Sequence, residues 1–501
     1  MTELYKRLVA SPDSSSKKSS RASTRAPSRS GFNDDDNELI NDINFGNIDE
    51  LLSQRLNAVF STFSSENSPK DTLNKLNSIN AIIDSLGSTD VSSDARQFLL
   101  DKLYNLIINK PNLGDEYEDG YDFELDLLKL LKSFLSNKSP DDAILYVRAL
   151  TSFIITNIDN ASAVFSEDRS INILSILEKR IVDDSFDIEI RQCLIYSYTS
   201  LILAMYDGSG AFGVEDNLQF LTEILSNYLA DLKTNSSLIV ATIYGIGSTL
   251  TILIDHSNLN EKVEDVLEEI SDVFVSSDII DVVKSAAMLF GLGYEIYDYD
   301  DNNINEEDID EDDDYTPLPY LNTYEIESRL DELVKLSSKK ISKKDKREGR
   351  SLYRDVAKTV QLYSSKKARL ERYKPKDKDS DREEFVLSHI KLSKSRSLAV
   401  NSWFAFFRLI QLKWVYSSGT HTQLANNDRL KDIIRDKPEE SYAAQFQSTE
   451  ELDEGDTSWG NQSTIKSNNK KRTQKIESGR KAKLDLSLEQ SGVTNEEEDL
   501  I

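Results

Sequence analysis

The residues best suited to chemistry in this sequence are cations, and they gather in one stretch of an otherwise acidic chain. Residues 335–376 hold sixteen Lys or Arg and four Asp or Glu, whereas the whole chain of 501 residues has a net charge of −28. A dense group of cations binds phosphate, and a nucleic-acid backbone presents phosphates in a row. This stretch is therefore the first candidate for a functional site.

The spacing of these cations gathers most of those between Lys339 and Lys358 toward one side of an α-helix, where successive residues turn by about 100°. Apolar residues such as Leu352, Val356 and Val360 fall on the opposite side. One side would pack on the protein while the other follows a phosphate backbone for roughly 30 Å. Gly349 weakens the helix by about 1 kcal/mol relative to Ala, so a bend or break is expected there. The predicted RNA-binding row consists of Lys339, Lys340, Lys343, Lys344, Lys346, Arg347, Arg350, Arg354 and Lys358.

Two other interpretations of the stretch remain open. It could be a solvated helix face that pairs with the acidic run at residues 298–314, which holds eleven acids in seventeen residues. It could also be a helix of the membrane-surface or calmodulin-binding type, although its apolar side lacks Trp and Phe. The cations from Lys366 onward follow no helical pattern, and we expect them to be only solvated.

Glycines at two places invite a chemical interpretation. Gly208, Gly210 and Gly213 form a GxGxxG, but the segment before them has a helical pattern, whereas a dinucleotide site requires a strand there. We therefore expect a loop between helices. Gly245 and Gly247 lie inside a helical segment and indicate close packing of helices.

No combination of residues points to a catalytic site, a metal or a cofactor. The histidines, His256, His389 and His421, have no Cys or His at metal-ligand spacing. Cys193 lies on an apolar helical stripe, which indicates a buried structural thiol rather than a nucleophile paired with His. We therefore predict a protein without enzymatic activity. An enzyme would instead show turnover that substitution of Cys193 or a histidine abolishes.

The elements that must position the basic stretch are helices. Apolar residues recur at i, i+3, i+4 and i+7 over much of residues 38–297, which is typical of helices with one buried face. The helices come in pairs, whose first members begin near Leu125, Ile171, Leu218 and Val263, at separations of 46, 47 and 45 residues. This period predicts an all-α solenoid of armadillo or HEAT type with an extended concave surface. A compact helical bundle is the alternative.

Composition divides the chain into five predicted parts. The single cysteine favours a reducing compartment, and the chain has neither a signal-peptide core nor an apolar run of about 18 residues, so no membrane span is expected. The Ser-rich basic tail is either merely solvated or a phosphorylatable or nuclear-targeting arm. The parts are a disordered basic tail (1–37), the armadillo-like domain (38–297), an acidic loop (298–320), a C-terminal helical extension with the basic helix (321–436) and a disordered tail (437–501).

Three motifs in the C-terminal half have a recognisable pattern. Residues 343–347 (KKDKR) and 350–356 (RSLYRDV) resemble the KKD…R-S-x-[FY]-R-D signature of the interferon-related developmental regulator family. Residues 390–392 with Trp403 resemble its hydrophobic strip. Ser418, Gly419, Leu424, Asn427, Leu430 and Ile433 resemble its S-G-x-x-x-x-L-x-x-N-x-x-L-x-x-I block, in which Gln423 stands where the family commonly has His.

The resemblance implies an armadillo-like N-terminal domain and two kinds of function. Members of the family are described as binding translationally inactive ribosomes and as transcriptional co-regulators. We therefore expect a cytoplasmic factor whose basic row contacts ribosomal RNA beside ribosomal proteins, without a membrane partner or a small-molecule substrate. The alternative is a protein–protein adaptor, partly nuclear, whose concave groove recruits chromatin or transcription regulators.

Overall fold

A computed structural model describes a large helical part of the chain. The predicted tails, residues 38–77 apart from 40, 43 and 45, and residues 300–316 of the acidic loop lie outside it. For residues 140–141, 343–351, 370–373, 389, 391 and 397 only the backbone is described. The described residues all belong to one compact unit, Met1–Tyr442. They are residues 40, 43, 45, 78–88, 91–111, 113, 122–137, 140–158, 172–208, 213–299, 317–335, 343–373, 387–391 and 397–435.

Helices account for most of this part. The first ten are α1 (Ile79–Leu86), α2 (Ser93–Asn109), α3 (Phe123–Ser136), α4 (Pro140–Thr156), α5 (Ile173–Ile181), α6 (Ile188–Tyr206), α7 (Val214–Leu229), α8 (Ser236–Leu250), α9 (Leu259–Ser276) and α10 (Ile280–Ile296). The later elements are α11 (Thr323–Lys335), α12 (Lys343–Ser364), α13 (Lys366–Tyr373), β1 (Ser388–Lys391), β2 (Ser397–Val400), α14 (Trp403–Tyr416), α15 (Thr420–Asn426) and α16 (Asp428–Ile434).

Local sequence signals explain where several of these helices begin. The side chain of Ser92 accepts a hydrogen bond from the third residue beyond it, at the start of α2. Asp122 and Asn172 accept two such bonds each, at the starts of α3 and α5. These side chains satisfy backbone N–H groups that have no partner inside the helix.

The helices stack as pairs, as the sequence predicts. The two helices of each pair, from α1 with α2 to α11 with α12, pack on each other. The second helices form a continuous row in the order α2, α4, α6, α8, α10 and α12. The described part of the chain is therefore an all-α helical-repeat solenoid, because each helix of that row buries its apolar face against the next pair.

The C-terminal segment contains a short sheet that the sequence did not reveal. Strands β1 and β2 pair antiparallel, with Ser388 opposite Val400 and Lys391 opposite Ser397. Four-residue strands are too short for the alternation of apolar and polar residues to stand out. The prediction of a purely helical segment at residues 321–436 missed them.

Helix α14 lies across the row of second helices and contacts α4, α6, α8 and α10. Every residue of α14 except Lys413 is buried. A helix that is apolar on nearly all sides is unstable when exposed to water, so α14 is buried against the second helices of the repeats. The concave surface expected from the repeats is therefore covered by α14 along these four helices.

Glycines on two of the second helices make room for α14. A Cβ at Gly247 of α8 would overlap the ring of Phe407, and a Cβ at Gly291 of α10 would lie 2.9 Å from the indole of Trp403. The predicted close packing at Gly245 is also confirmed, because a Cβ there would overlap Thr199 of α6.

We predict that Gly247→Ala destabilises the protein by about 1–3 kcal/mol, because the added methyl group overpacks the contact with Phe407. Urea denaturation followed by circular dichroism measures the change. The matched control is Gly87→Ala, where the nearest atom to a Cβ is 3.4 Å away. The double variant Gly247→Ala/Phe407→Leu should lose less than the sum of the single variants. Simple additivity would contradict this account.

Candidate nucleic-acid interface

Helix α12 carries the basic stretch, and its apolar side is buried as predicted. The side chains of Leu352, Val356 and Val360 lie in the core, and Val356 and Val360 are fully inaccessible to water. They pack against α10 and α11. The helix is therefore held firmly along one side.

The helix continues through Gly349 from Lys343 to Ser364. The expected break at Gly349 is thus absent. A glycine inside a helix costs about 1 kcal/mol, and the downstream half of α12 is anchored by several buried apolar side chains, each of which contributes more than that. Positions 343–358 consequently keep the helical spacing on which the predicted row depends.

The structure places two members of the predicted row in solvent. Arg354 and Lys358 are exposed, one helical turn apart, on the side of α12 opposite Val356 and Val360. The predicted contacts from Lys343 to Arg350 lie in the helical backbone, but their side chains are outside the described part. Lys339 and Lys340 lie wholly outside it.

Helix α12 is joined to α14 through one buried hydrogen bond. The indole Nε1–H of Trp403 donates to Oγ1 of Thr359, at 2.9 Å. The same Thr359 hydroxyl donates to the backbone carbonyl of Asp355, also at 2.9 Å. Trp403 is fully buried, so it fixes α12 relative to the repeats. The family motif includes Trp403, but nothing in the sequence predicted that its indole would bond Thr359.

The two ends of α14 are held by side chains of the repeats. At the start of α14, the Glu295 carboxylate accepts the backbone N–H groups of Trp403 and Phe404, both at 2.9 Å. At its end, the Tyr104 hydroxyl donates to the Val415 carbonyl at 2.9 Å, and Arg148 donates to the preceding carbonyl, that of Trp414, at 2.5 Å. An anion at the start and a cation at the end both match the helix dipole.

Arg408 secures the middle of α14 to the ends of other helices. Its guanidinium donates to a carboxylate oxygen of Asp207 at 2.7 Å, to Oγ1 and the carbonyl of Thr251 at 2.8 and 3.0 Å, and to the carbonyl of Ile433 at 2.9 Å. Burial lowers the pKa of Arg408, and the carboxylate of Asp207 opposes that shift. The group stays charged, because an arginine does not lose its proton in a protein.

Gln423 of α15 closes the end of α2. Its Nε2 group donates to the carbonyls of Ile107, Ile108 and Lys110, at 3.1, 3.0 and 2.9 Å. The last carbonyls of a helix have no N–H partner further along that helix, so this amide supplies hydrogen-bond donors at the end of α2. The role of Gln423 is structural, and sequence reasoning missed it.

Arg369 of α13 corrects one prediction about the later cations. We expected the cations from Lys366 onward to be only solvated, but Arg369 is buried, with 1% of its surface exposed. Its guanidinium lies 4.0 Å from the ring centre of Tyr299 and donates to the carbonyl of Tyr363. The charge is compensated by the aromatic face and a carbonyl oxygen.

Carboxylates of α11 border the exposed side of α12. A groove of about 630 Å³ runs along the surface where the two helices pack together. Glu327, Asp331 and Glu332 line it from α11, and Ala357 and Gln361 line it from α12. The α11 side of this groove is therefore mainly anionic, whereas the α12 residues that line it are uncharged.

The glycines and the cysteine that the sequence offered as candidates for chemistry have structural roles. Gly208 and Gly213 adopt positive φ angles of 68° and 84° between α6 and α7, as expected of a loop. Cys193 is fully buried. Within the described ranges, no group of three His, Cys, Asp or Glu is arranged to hold a metal ion, and no helix is both long and apolar enough to cross a membrane.

The fold and the exposed cations define a helical-repeat protein whose last pair presents a basic helix. The sequence pattern of the interferon-related developmental regulator family matches residues 52–361, more than half of the chain, so the chain belongs to that family. The match ends at Gln361 in α12 and does not reach α14. No curated protein shows a significant match. The family is not known as a family of enzymes.

We predict that Arg408→Met destabilises the protein by about 3–5 kcal/mol, because Asp207 loses the partner of a buried ion pair. Lys413→Met is the control on the same helix, since Lys413 is only half-buried, and it should change stability by less than about 0.5 kcal/mol. Urea denaturation measures both. Equal effects of the two substitutions would show that Arg408 has no special structural role.

Proposed function

We propose that this protein is a non-enzymatic factor that associates with translationally inactive ribosomes, and that α12 contacts ribosomal RNA. The observation that carries the proposal is the arrangement of α12: one side is buried against α10 and α11, while Arg354 and Lys358 face solvent on the other. The same helix holds the basic signature on which the family resemblance rests. The remaining predicted contacts, Lys339, Lys340, Lys343, Lys344, Lys346, Arg347 and Arg350, complete the proposed row.

The physical argument favours contact with the RNA backbone. Lys and Arg bind phosphate oxygens irrespective of base sequence, and a helix fixed by its neighbours needs little reordering on binding. The chain as a whole carries a net charge of −28, which opposes indiscriminate coating of RNA. The carboxylates of Asp331 and Glu332 repel phosphate, so the RNA backbone would approach α12 from the side away from α11.

A protein–protein adaptor remains the second hypothesis, but its proposed binding surface has changed. Helix α14 fills the inner side of α4, α6, α8 and α10, so a partner could not bind in that groove. An adaptor would have to recruit its partners with the surfaces that α14 leaves exposed. A pool that stays nuclear and never moves with 80S particles would favour it, whereas the ribosome proposal places the protein in the cytoplasm.

The surroundings of Cys193, the candidate nucleophile, support the proposal that the protein is not an enzyme. Cys193 has no exposed surface, so a substrate could not reach its thiol without unfolding α6 locally. A nucleophile must be accessible and paired with a base.

We predict that Arg354→Glu/Lys358→Glu releases the protein from ribosomes in sucrose gradients. If both cations contact phosphate, the slope of log affinity against log salt should become shallower by about 1.4 to 1.8, since each contact contributes about 0.7 to 0.9. Both side chains are exposed, so the variant should fold normally, which circular dichroism checks.

The matched control is Lys132→Glu/Lys367→Glu, which makes the same charge change at two exposed positions on α3 and α13. This control should still move with ribosomes. Unchanged co-sedimentation of the Arg354/Lys358 variant, or equal loss in the control, would refute the assignment of α12 as the contact.

A further inference from the structure

The acidic run at residues 298–314 is anchored on both sides at one residue of α10. Near the start of the run, the Tyr299 hydroxyl donates a hydrogen bond to the backbone carbonyl of Tyr294 at 3.0 Å. Beyond its end, Thr323 at the start of α11 shares a hydrogen bond of 2.6 Å with the hydroxyl of the same Tyr294. Because both anchors involve one residue, the reach of the chain between them is limited to the surroundings of the last pair of helices.

The start of the run lies against the end of α12. The ring of Tyr299 stacks on that of Tyr363, with ring centres 6.2 Å apart and an angle of 16° between the planes. Lys358 is five residues before Tyr363 on the opposite side of the helix, so a path around the helix to it measures roughly 20 Å. Glu307 is eight residues beyond Tyr299, and eight extended residues span about 27 Å. The far end is also close, because the start of α11 and the middle of α12 line one groove. The central carboxylates of the run therefore reach Lys358.

Charge selects α12 as the surface that the run contacts. The run has eleven acids in seventeen residues and neither Lys nor Arg. Arg354 and Lys358 are exposed, and within the described ranges neither side chain forms an ion pair. The exposed sides of the neighbouring helices α9 and α11 carry mainly carboxylates, which repel the run. Opposite charges therefore draw the run to α12 rather than to α9 or α11.

We propose that the acidic run binds the exposed side of α12 within the same chain and competes there with phosphate. The carboxylates of residues 307–311 pair with Arg354 and Lys358. Each exposed ion pair is weak, but tethering at both ends raises the effective concentration of the run. A partner that presents several phosphates in a row displaces the run, whereas an isolated phosphate replaces only one pair and does not. The competition rests on the function proposed above, but the contact itself does not.

The contact is tested on the full chain without RNA, with a carbodiimide that joins a carboxylate to an amine in contact with it. Mass spectrometry should find the run linked to Lys358 more often than to Lys367. Lys367 is the matched control, because it is exposed on α13, whose Arg369 lies against Tyr299. A run that only diffuses around its anchors would link to Lys367 at least as often, which would overturn the proposal. In an equal mixture of isotopically light and heavy protein, mixed pairs would assign the contact to a second copy and would also overturn it.

The competition is tested by the affinity of the full chain for an RNA duplex of about 20 base pairs at low salt, where phosphate contacts are strongest. The run variant removes four central charges: Glu307→Gln/Asp308→Asn/Asp310→Asn/Glu311→Gln. It should bind the duplex roughly fourfold more tightly, because the two exposed ion pairs that it loses each contribute a factor of about two.

The matched control for the run variant makes the same charge change at exposed positions of α9: Glu261→Gln/Asp265→Asn/Glu268→Gln/Asp272→Asn. It should bind the duplex nearly as the parent protein does. Equal gains in the two variants would show an effect of net charge alone and would overturn the competition. Failure of the ribosome proposal is seen separately, as unchanged co-sedimentation of Arg354→Glu/Lys358→Glu, and the crosslink to Lys358 decides the contact in either case.

Discussion

Burial of α14 is the constraint on which the rest of the structure depends. Its rings occupy positions that Gly247 and Gly291 leave open. Glu295 accepts hydrogen bonds at its start, and Arg408 in its middle pairs with Asp207. Tyr104 and an arginine of α4 donate hydrogen bonds to carbonyls at its end. These polar contacts allow only one position along the repeats, because a shift by one turn would leave buried charges without partners. Apolar packing supplies the attraction, and the buried polar groups determine the register.

The packing of α14 determines the orientation of α12, which carries the proposed RNA-binding row. Trp403 belongs to α14, yet its indole bonds Thr359 of α12. The side of α12 that carries Arg354 and Lys358 therefore points in a direction set by the packed interior rather than by loops. A charged row fixed in this way would lose little conformational entropy on binding the phosphate backbone that we propose as its partner.

Sequence reasoning found the features that depend on local periodicity. The pairs, the segregated faces of α12 and the packing glycines Gly245 and Gly247 follow from spacing that any helix must obey. It missed features that depend on contacts distant along the chain. Gln423 acts on carbonyls more than three hundred residues earlier, and the burial of Arg369 depends on Tyr299. The filling of the concave side was missed for the same reason, since no repeat indicates what will pack against it.

The position of α14 late in the chain has a consequence during synthesis. The last of the four helices that it covers ends at Ile296, and α14 begins about a hundred residues later, so a ribosome adding about 5–20 residues per second needs roughly 5 to 20 s to supply it. Repeats that fold during that interval would expose the apolar surface that α14 later covers. Such a nascent intermediate is a natural substrate for chaperones, and a premature stop before Trp403 would leave it permanently open.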